Sequence, residues 1–300
     1  MSTVIGIGFS HNPNPEQAFK EAAIEAKSQM NRPSVDLAII FFTSGYAESK
    51  AIEPVNRILQ PSQLIGSMTP AIILHDRIEP RGVAILGIAS EEIKFGTAVL
   101  DHLSLTNMRE GGLKAARDAA AETGASARHG FLALMNSVGA NHTPFLLGLQ
   151  EALGRAFTFY GGFSCDEKLG RASLLHTNTF SSDGMIGMLL SGSVQLSVAA
   201  HHGWKPLGKP RLIDEAEGNL IKLIDHKPAI SLYQDYFADE MKSLDPGTLG
   251  SIGLLYPLGL NTDRPKGYLL RHPIEILPDD AIVCQAEVPP GSRVHLMIGD

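Results

Sequence analysis

A chain of 300 residues with 44% hydrophobic and 19% charged residues has the composition of an ordinary globular protein, long enough for two domains with sizeable cores. Its net charge is −7 and its basic residues are scattered, so it lacks the footprint that a phosphate backbone requires, and nucleic acid is not an expected partner. Two cysteines, Cys165 and Cys284, are too few for a disulfide framework, the N-terminus has no basic leader, and no run approaches the roughly 18 apolar residues of a membrane span; a cytoplasmic protein without membrane insertion is expected.

The chain opens on TVIGIGFS (3–10), a strand pattern, and continues through the turn-rich HNPNP into PEQAFKEAAIEAKSQM (15–30). There Phe19, Ala22, Ala23, Ala26 and Met30 recur at helical spacing behind a proline tolerated in the first helical turn. DLAIIFFTSGY follows, its apolar run from Leu37 to Phe42 short enough for a strand buried on both faces, and a helix is expected over 48–59. After it come LIGSM, AIILHD, GVAILGIAS and IKFGTAVLDHL, short runs broken by Pro70, Pro80 and Gly82, a density of turn residues that favours antiparallel strands over further crossovers.

The same order then returns: a helix over 111–123, a strand over 129–139, a helix over 143–156, and the runs FTFYGGFS, ASLLHTNTF, GMIGMLLSG and VQLSVAAHHGW. Gly45 and Gly139 stand 94 residues apart, Gly66 and Gly161 stand 95 apart, Gly82 and Gly184 stand 102 apart, and His102 and His202 stand 100 apart. Residues 1–105 and 106–205 are therefore expected to be two copies of one helix, strand, helix, meander unit. The remainder, 206–300, reads as a smaller α+β part with a helix at ISLYQDYFADEMKSL (230–244) and strands at GSIGLLYPLG, GYLLRHPIEI, AIVCQAEV and RVHLMIGD. The expected fold class is α/β with α+β character. The last run ends the chain on a strand, which an α/β unit normally covers with another element, so a natural C-terminal segment is expected to be missing.

The early DLAIIFF, the YGGFSCDEKLG of the second copy, SLYQDYF, and above all YPLGLNTDRPKGYLLRHPIEI with AIVCQAEVPPGSRVHLMIGD resemble the FIST family, in which an N-terminal and a C-terminal domain occur together. The resemblance runs from about Asp36 to the end of the chain and is most specific in the last 50 residues. It implies a sensory module for signal transduction that binds a small ligand, amino acids or their derivatives among the suggestions, without catalysis and without a cofactor. Relatives occur alone, fused to bacterial signalling outputs, or in F-box proteins. This sequence carries no such output, so a separate signalling protein is the expected partner.

Pockets favour junctions, which places the expected site at the seam between the copies. Strand ends that stop in glycine nominate Ser44, Gly45 and Tyr46, Ser137 and Gly139, and the paired turns Gly66-Ser67 and Gly161-Gly162. Gly161, Gly162, Phe163, Ser164, Cys165 and Asp166 are the most suggestive group: glycines allow close backbone approach, and Ser164 and Asp166 offer a donor and a charge. Cys165 reads more readily as a buried structural thiol than as a nucleophile, since no base is fixed beside it. Arg271, matching the arginine of the family's YLLR motif, either clamps a carboxylate or makes an ordinary ion pair, and the sequence leaves both open. His201, His202 and His176 lack metal-ligand spacing, GIGFSHNPNP is no phosphate loop, and GFSCD is no nucleophile elbow. A cysteine- or histidine-dependent enzyme and a protein-interaction scaffold are the alternatives to a sensor.

Overall fold

A computed structural model describes residues 3–103, 107–124, 127–136, 141–168, 170–242, 249–262 and 267–299. Two compact units divide the chain, Met1–Val138 with Pro144–Val198, and Ala199–Asp300 with Gly139–Thr143.

In the first unit, β1 (Thr3–Ser10) leads into α1 (Pro15–Ser28), whose start is set by Asn14 accepting the Gln17 N–H and by Pro15 in the first turn. Then come β2 (Val35–Phe42), a short 3-10 turn, α2 (Glu53–Leu59), β3 (Pro61–Met68), a hairpin of β4 (Ile72–Ile73) and β5 (Ile78–Glu79), and β6 (Val83–Ser90). The second series is β7 (Ile93–Leu100), α3 (Met108–Thr123), β8 (Arg128–Asn136), α4 (Thr143–Leu153), β9 (Phe159–Ser164), a hairpin of β10 (Leu174–His176) and β11 (Thr179–Ser181), and β12 (Met185–Gly192).

Two mixed sheets result, ordered β1-β6-β2-β3-β10-β11 and β7-β12-β8-β9. In each, a helix carries the chain to a parallel neighbour, β2 to β3 and β8 to β9, and the last strand of the series returns antiparallel between the first two. The runs after β3 are thus antiparallel as expected, but β6 inserts between β1 and β2 instead of extending the sheet. IKFGTAVL, which the sequence pattern groups with the first series, opens the second sheet as β7, so the break between the series falls at 91–92 and not near 105. A two-residue turn between two strands looks like a hairpin in sequence; here it is the step from one sheet to the other.

Four layers form. The alternation along β2 sends Ala38, Ile40 and Phe42 into a cluster with Phe19, Ala22 and Ala26 of α1 and Val55 and Leu59 of α2. It sends Leu37 the other way, with Ile65, against Phe95, Leu134, Ile186 and Met188 of the second sheet. Helix and strand approach closely at glycine: a side chain on Gly6 would lie 2.0 Å from the Ala26 carbonyl oxygen, and one on Gly96 would lie 2.0 Å from that of Ala119. The outer edge of each sheet is capped by the helix beside it. Gln29 Oε1 accepts the Ile7 N–H at 3.1 Å and Glu25 accepts that of Phe9 at 2.8 Å, while Glu122 accepts that of Thr97 at 2.7 Å. Side chains here satisfy edge amides that would otherwise invite another strand.

Residues 194–203, read from sequence as a strand, form none; they lead from one unit to the next. The second unit begins its sheet at β13 (Trp204–Glu217) and adds β14 (Leu220–Ile224), β15 (Lys227–Pro228), α5 (Ser231–Met241), α6 (Gly250–Leu255), β16 (Leu258–Asn261), β17 (Tyr268–Arg271), β18 (Pro273–Ile276), β19 (Ile282–Cys284) and β20 (Arg293–Gly299). Strand order is β17-β16-β20-β13-β14-β19-β18, with β15 beside β14. The β13 strand changes partners through a break in register between Leu207 and Arg211, where Gly208 has φ +73°. The apolar run SIGLL, read as strand, is the short α6: Leu249 and Ile252 are buried three residues apart in one cluster with Tyr233, Leu258 and Ile282, and that spacing is helical.

Candidate functional site

The loop from Ser164 to Ser173 gathers much of the chemistry expected from sequence. Ser164 is fully buried at the end of β9; its Oγ donates to the Ser173 carbonyl and accepts the Ser173 N–H, both at 2.9 Å. Asp166, also buried, accepts N–H groups of Gly170 at 2.9 Å and of Lys168 and Arg171 at 3.2 Å, and its own N–H donates to the Arg171 carbonyl at 2.8 Å. The Gly170 N–H first, then those of Arg171 and Lys168, holds its carboxyl below the usual aspartate range against burial. These polar groups are spent on the loop itself. Burial and the neighbouring Asp166 push the Cys165 thiol up, the reverse of what a nucleophile needs.

The other residues nominated from sequence scatter. Ser44 joins this loop, donating to Glu167 Oε2 at 2.7 Å, and Gly45 beside it has φ +91° with open space around it. Tyr46 belongs to the core, its hydroxyl donating to the Asn12 carbonyl at 2.9 Å. Gly66 lies inside β3, where a side chain would come within 2.6 Å of the Ile40 carbonyl oxygen, and Ser67 is buried with its hydroxyl on the Met68 carbonyl. Neither forms a turn. Gly161 sits against Ala133 in β9, while Gly162 and Phe163 are exposed. Ser137 and Gly139 lie outside the described residues. Arg271, in the second unit, donates Nε to the Glu287 carbonyl at 2.6 Å and Nη1 to the Leu270 carbonyl at 3.0 Å, and burial pulls its pKa down.

A different place in the first unit has the form of a site. The β10–β11 hairpin lies along β3 with Leu175 opposite Gly66, and beside it a cleft of about 160 Å³ opens toward the ends of β7 and β12. Its floor is Val99, Leu174, Met185 and Ile186, and its polar groups are Asp101, His176, Thr179, Ser181 and Asp183. Burial holds His176 below the usual histidine range, opposed by the charges of Glu122 and Asp101, so the imidazole is neutral at pH 7. At the rim His102 Nδ1 lies 3.4 Å from Asp183 Oδ2, and Ser181 Oγ donates to the Asp183 carbonyl at 2.7 Å. The cleft is a short apolar floor under two carboxylates, a neutral imidazole and two hydroxyls. In sequence its only trace is HTNTFSSD after a short strand, joined in space to Asp101 by β-pairing across a long separation.

In the second unit His202, Trp204, His272, Tyr268 and His295 make edge-on ring contacts, and His202 Nε2 meets the Tyr268 carbonyl at 3.2 Å. Buried His202 Nδ1, Trp204 Nε1 and His295 Nδ1 find no hydrogen-bond partner among the described residues. No group of three or more metal-ligating side chains forms among the described residues.

Layered sheets covered by helices, followed by a second sheet-and-helix unit, and polar groups gathered at strand ends define a two-unit α/β protein. Family models match in the same order: the FIST N domain over residues 36–227 and the FIST C domain over 229–300. The chain belongs to the FIST family, whose domains are sensory signal-transduction modules. No curated protein matches it. Among solved structures it is similar to cyanuric acid hydrolase from A. caulinodans, with 13% identity over 64% of this chain and 67% of that one at a TM-score of 0.34. A second cyanuric acid hydrolase structure, described as an evolutionary innovation by structural concatenation, shows 8% identity over 64% and 68% at a TM-score of 0.36. No helix among the described residues is long and apolar enough to cross a membrane.

Proposed function

We propose that this protein is a non-catalytic sensor that binds a small amine-bearing metabolite, such as an amino acid or a derivative, in the cleft beside the β10–β11 hairpin. One observation carries this: Asp101 and Asp183 converge with a neutral His176 over the floor of Val99, Leu174, Met185 and Ile186. Carboxylates receive an ammonium group, the hydroxyls of Thr179 and Ser181 orient what is attached to it, and the floor takes a short apolar stem. The raised Cys165 thiol supports the non-catalytic part. Because the cleft's walls come from both sheets, a ligand favours one setting of the hairpin over others, and a separate signalling protein reads that setting. The same proposal takes 3–90 and 93–192 as two copies of one unit, supported by the matching strand order of the two sheets.

Thermal shift with amino acids, amines and, as controls, dicarboxylic acids tests it. An amine-bearing compound should raise the melting temperature, by mass action on the folded state, and Asp101→Asn or Asp183→Asn should abolish the rise. No shift from any amine, or a shift that survives both substitutions, sinks the proposal. Alkylation tests the non-catalytic part: Cys165 should react with iodoacetamide at pH 8 more slowly than a free thiol, and fast labelling below that pH would speak for an enzyme.

A further inference from the structure

In the first unit the same contact between a helix and the edge of a sheet is built twice, with different side chains. Gly6 and Gly96 of the strands stand 90 residues apart, and the helix carbonyls against them, those of Ala26 and Ala119, stand 93 apart. Gln29 and Glu122, also 93 apart, accept the N–H groups of Ile7 and Thr97, which are 90 apart. Helix and strand therefore correspond residue by residue along this contact.

One step further along the strand the correspondence breaks. In the first half the helix fills the strand edge with its own carboxylates: Glu25 accepts the Phe9 N–H at 2.8 Å, and Glu21 accepts the Ser10 hydroxyl at 2.6 Å and the Asn12 side-chain amide at 2.9 Å. In the second half the positions of Glu21, Ile24 and Glu25 are held by Lys114, Arg117 and Asp118. Asp118 is one methylene shorter than Glu25 and is bonded to Lys114. Thr97 and Val99 are two residues apart in the unbroken antiparallel pairing of β7 with β12, so the Val99 N–H points outward beside that of Thr97. Among the described residues no side chain accepts it. A groove of about 740 Å³ lies there, with Val99, Asp101, Lys114, Arg117 and Asp118 in its lining. Val99 and Asp101 line the amine cleft as well, so the two cavities adjoin.

We propose that this groove receives the carboxylate of the molecule whose ammonium group lies in the cleft, an inference that rests on the cleft reading above. Lys114 and the Val99 N–H set a cation and an edge donor where the first half has carboxylates of its own, so an incoming carboxylate takes the part of Glu25, and Arg117 adds a second cation. Asp101 and Asp118 repel an anion that carries no positive charge. Val99 and Asp101 are two residues apart, roughly 7 Å of extended chain, whereas the ammonium and carboxylate of an α-amino acid share one carbon. The ligand class is thus a chain with its charges at opposite ends, an ω-amino acid or a short peptide.

Calorimetric titration of the full chain tests it with 5-aminopentanoate, with glycylglycine, which has the same number of bonds between ammonium and carboxylate, with pentylamine, which lacks the carboxylate, and with glycine. One or both of the first two should bind about tenfold or more tightly than pentylamine and glycine. Tighter binding of glycylglycine assigns a peptide, and tighter binding of 5-aminopentanoate assigns an ω-amino acid. Lys114→Met should remove the advantage over pentylamine and leave the Kd of pentylamine unchanged. Asp118→Glu should do the same, since its longer side chain would cap the Val99 N–H as Glu25 caps that of Phe9. The unchanged pentylamine Kd shows that both variants fold. Equal binding of pentylamine and the two longer zwitterions, a preference for glycine, or an advantage that survives both substitutions overturns the carboxylate subsite alone. If none of the amines binds, the cleft reading fails and this one with it.

Discussion

The two halves of the first unit can be followed partner by partner. Stepping across the first sheet from the glycine under α1 gives Gly6, Gly87, Ala38, Leu64; from the glycine under α3 in the second it gives Gly96, Leu189, Phe131, Phe159. Separations are 90, 102, 93 and 95 residues, so the insertions that distinguish the halves lie in the connections. The step from 95 at β9 to 102 at β10 places seven extra residues in the loop that Asp166 organises. The first half has only Pro70 and Ala71 there, Thr69 being the match of Ser164. Framework contacts are alike in both halves, down to a carboxylate or amide of the helix capping the first strand; the hairpins differ. What separates the two hairpins is that β10 pairs with β3 whereas β4 and β5 pair with no sheet strand among the described residues, since their own pairing is the same.

The sharpest way to break this comparison is to truncate matching hairpin residues. Leu175→Ala should cost about 2–5 kcal/mol in urea unfolding, the range for emptying a core site, and Ile73→Ala should stay within about 0.5 kcal/mol. Equal effects would mean that the exposed hairpin is docked in solution. Next in size are Gly6→Ala and Gly96→Ala, each of which places a methyl group against a helix carbonyl. Both should destabilise by about 1–3 kcal/mol, and a large difference between them would show that the two helix–strand contacts are built differently. The smallest effect concerns the extra loop alone. Asp166 has a depressed pKa, so its stabilising contribution is complete above the unfolded value near 4 and disappears as pH falls through the lower folded value. Melting temperature should therefore drop more steeply in acid for the wild type than for Asp166→Asn, which should already melt lower at neutral pH. Parallel acid profiles would remove Asp166 from that role.

Much of the framework was legible because it depends on local pattern. The alternation in TVIGIGFS, the alanine stripe of α1 and the glycine spacings of 95 and 102 all correspond to elements or registered positions seen in space. Boundaries failed where neighbours in sequence part company in space: Ser90 and Ile93 belong to different sheets, and SIGLL offers an apolar run that strand and helix use equally well. The candidate site was less legible. Glycine and serine at strand ends drew attention to Gly66, Ser67 and Ser164, but hydrogen bonding and close packing consume them. The polar groups that line the cleft, His176 at the end of β10 and Asp101 and Asp183 in bends beside β7 and β12, meet through β10 pairing with β3 more than a hundred residues away in sequence.

By itself the sequence determined the kind and order of most elements and the family, because periodicity, caps and turn residues act over a few positions. Tertiary structure alone decided which edge each strand takes, and hence that one hairpin shelters a cleft while Ile73 and Ile78 of the other stay in water. That choice rests on long-range pairing and on the burial of Leu175 and Phe180 against a partner strand, and such burial has no local signature: Leu175 and Ile73 are equally apolar in the sequence, and only the presence of β3 beside one of them sets them apart.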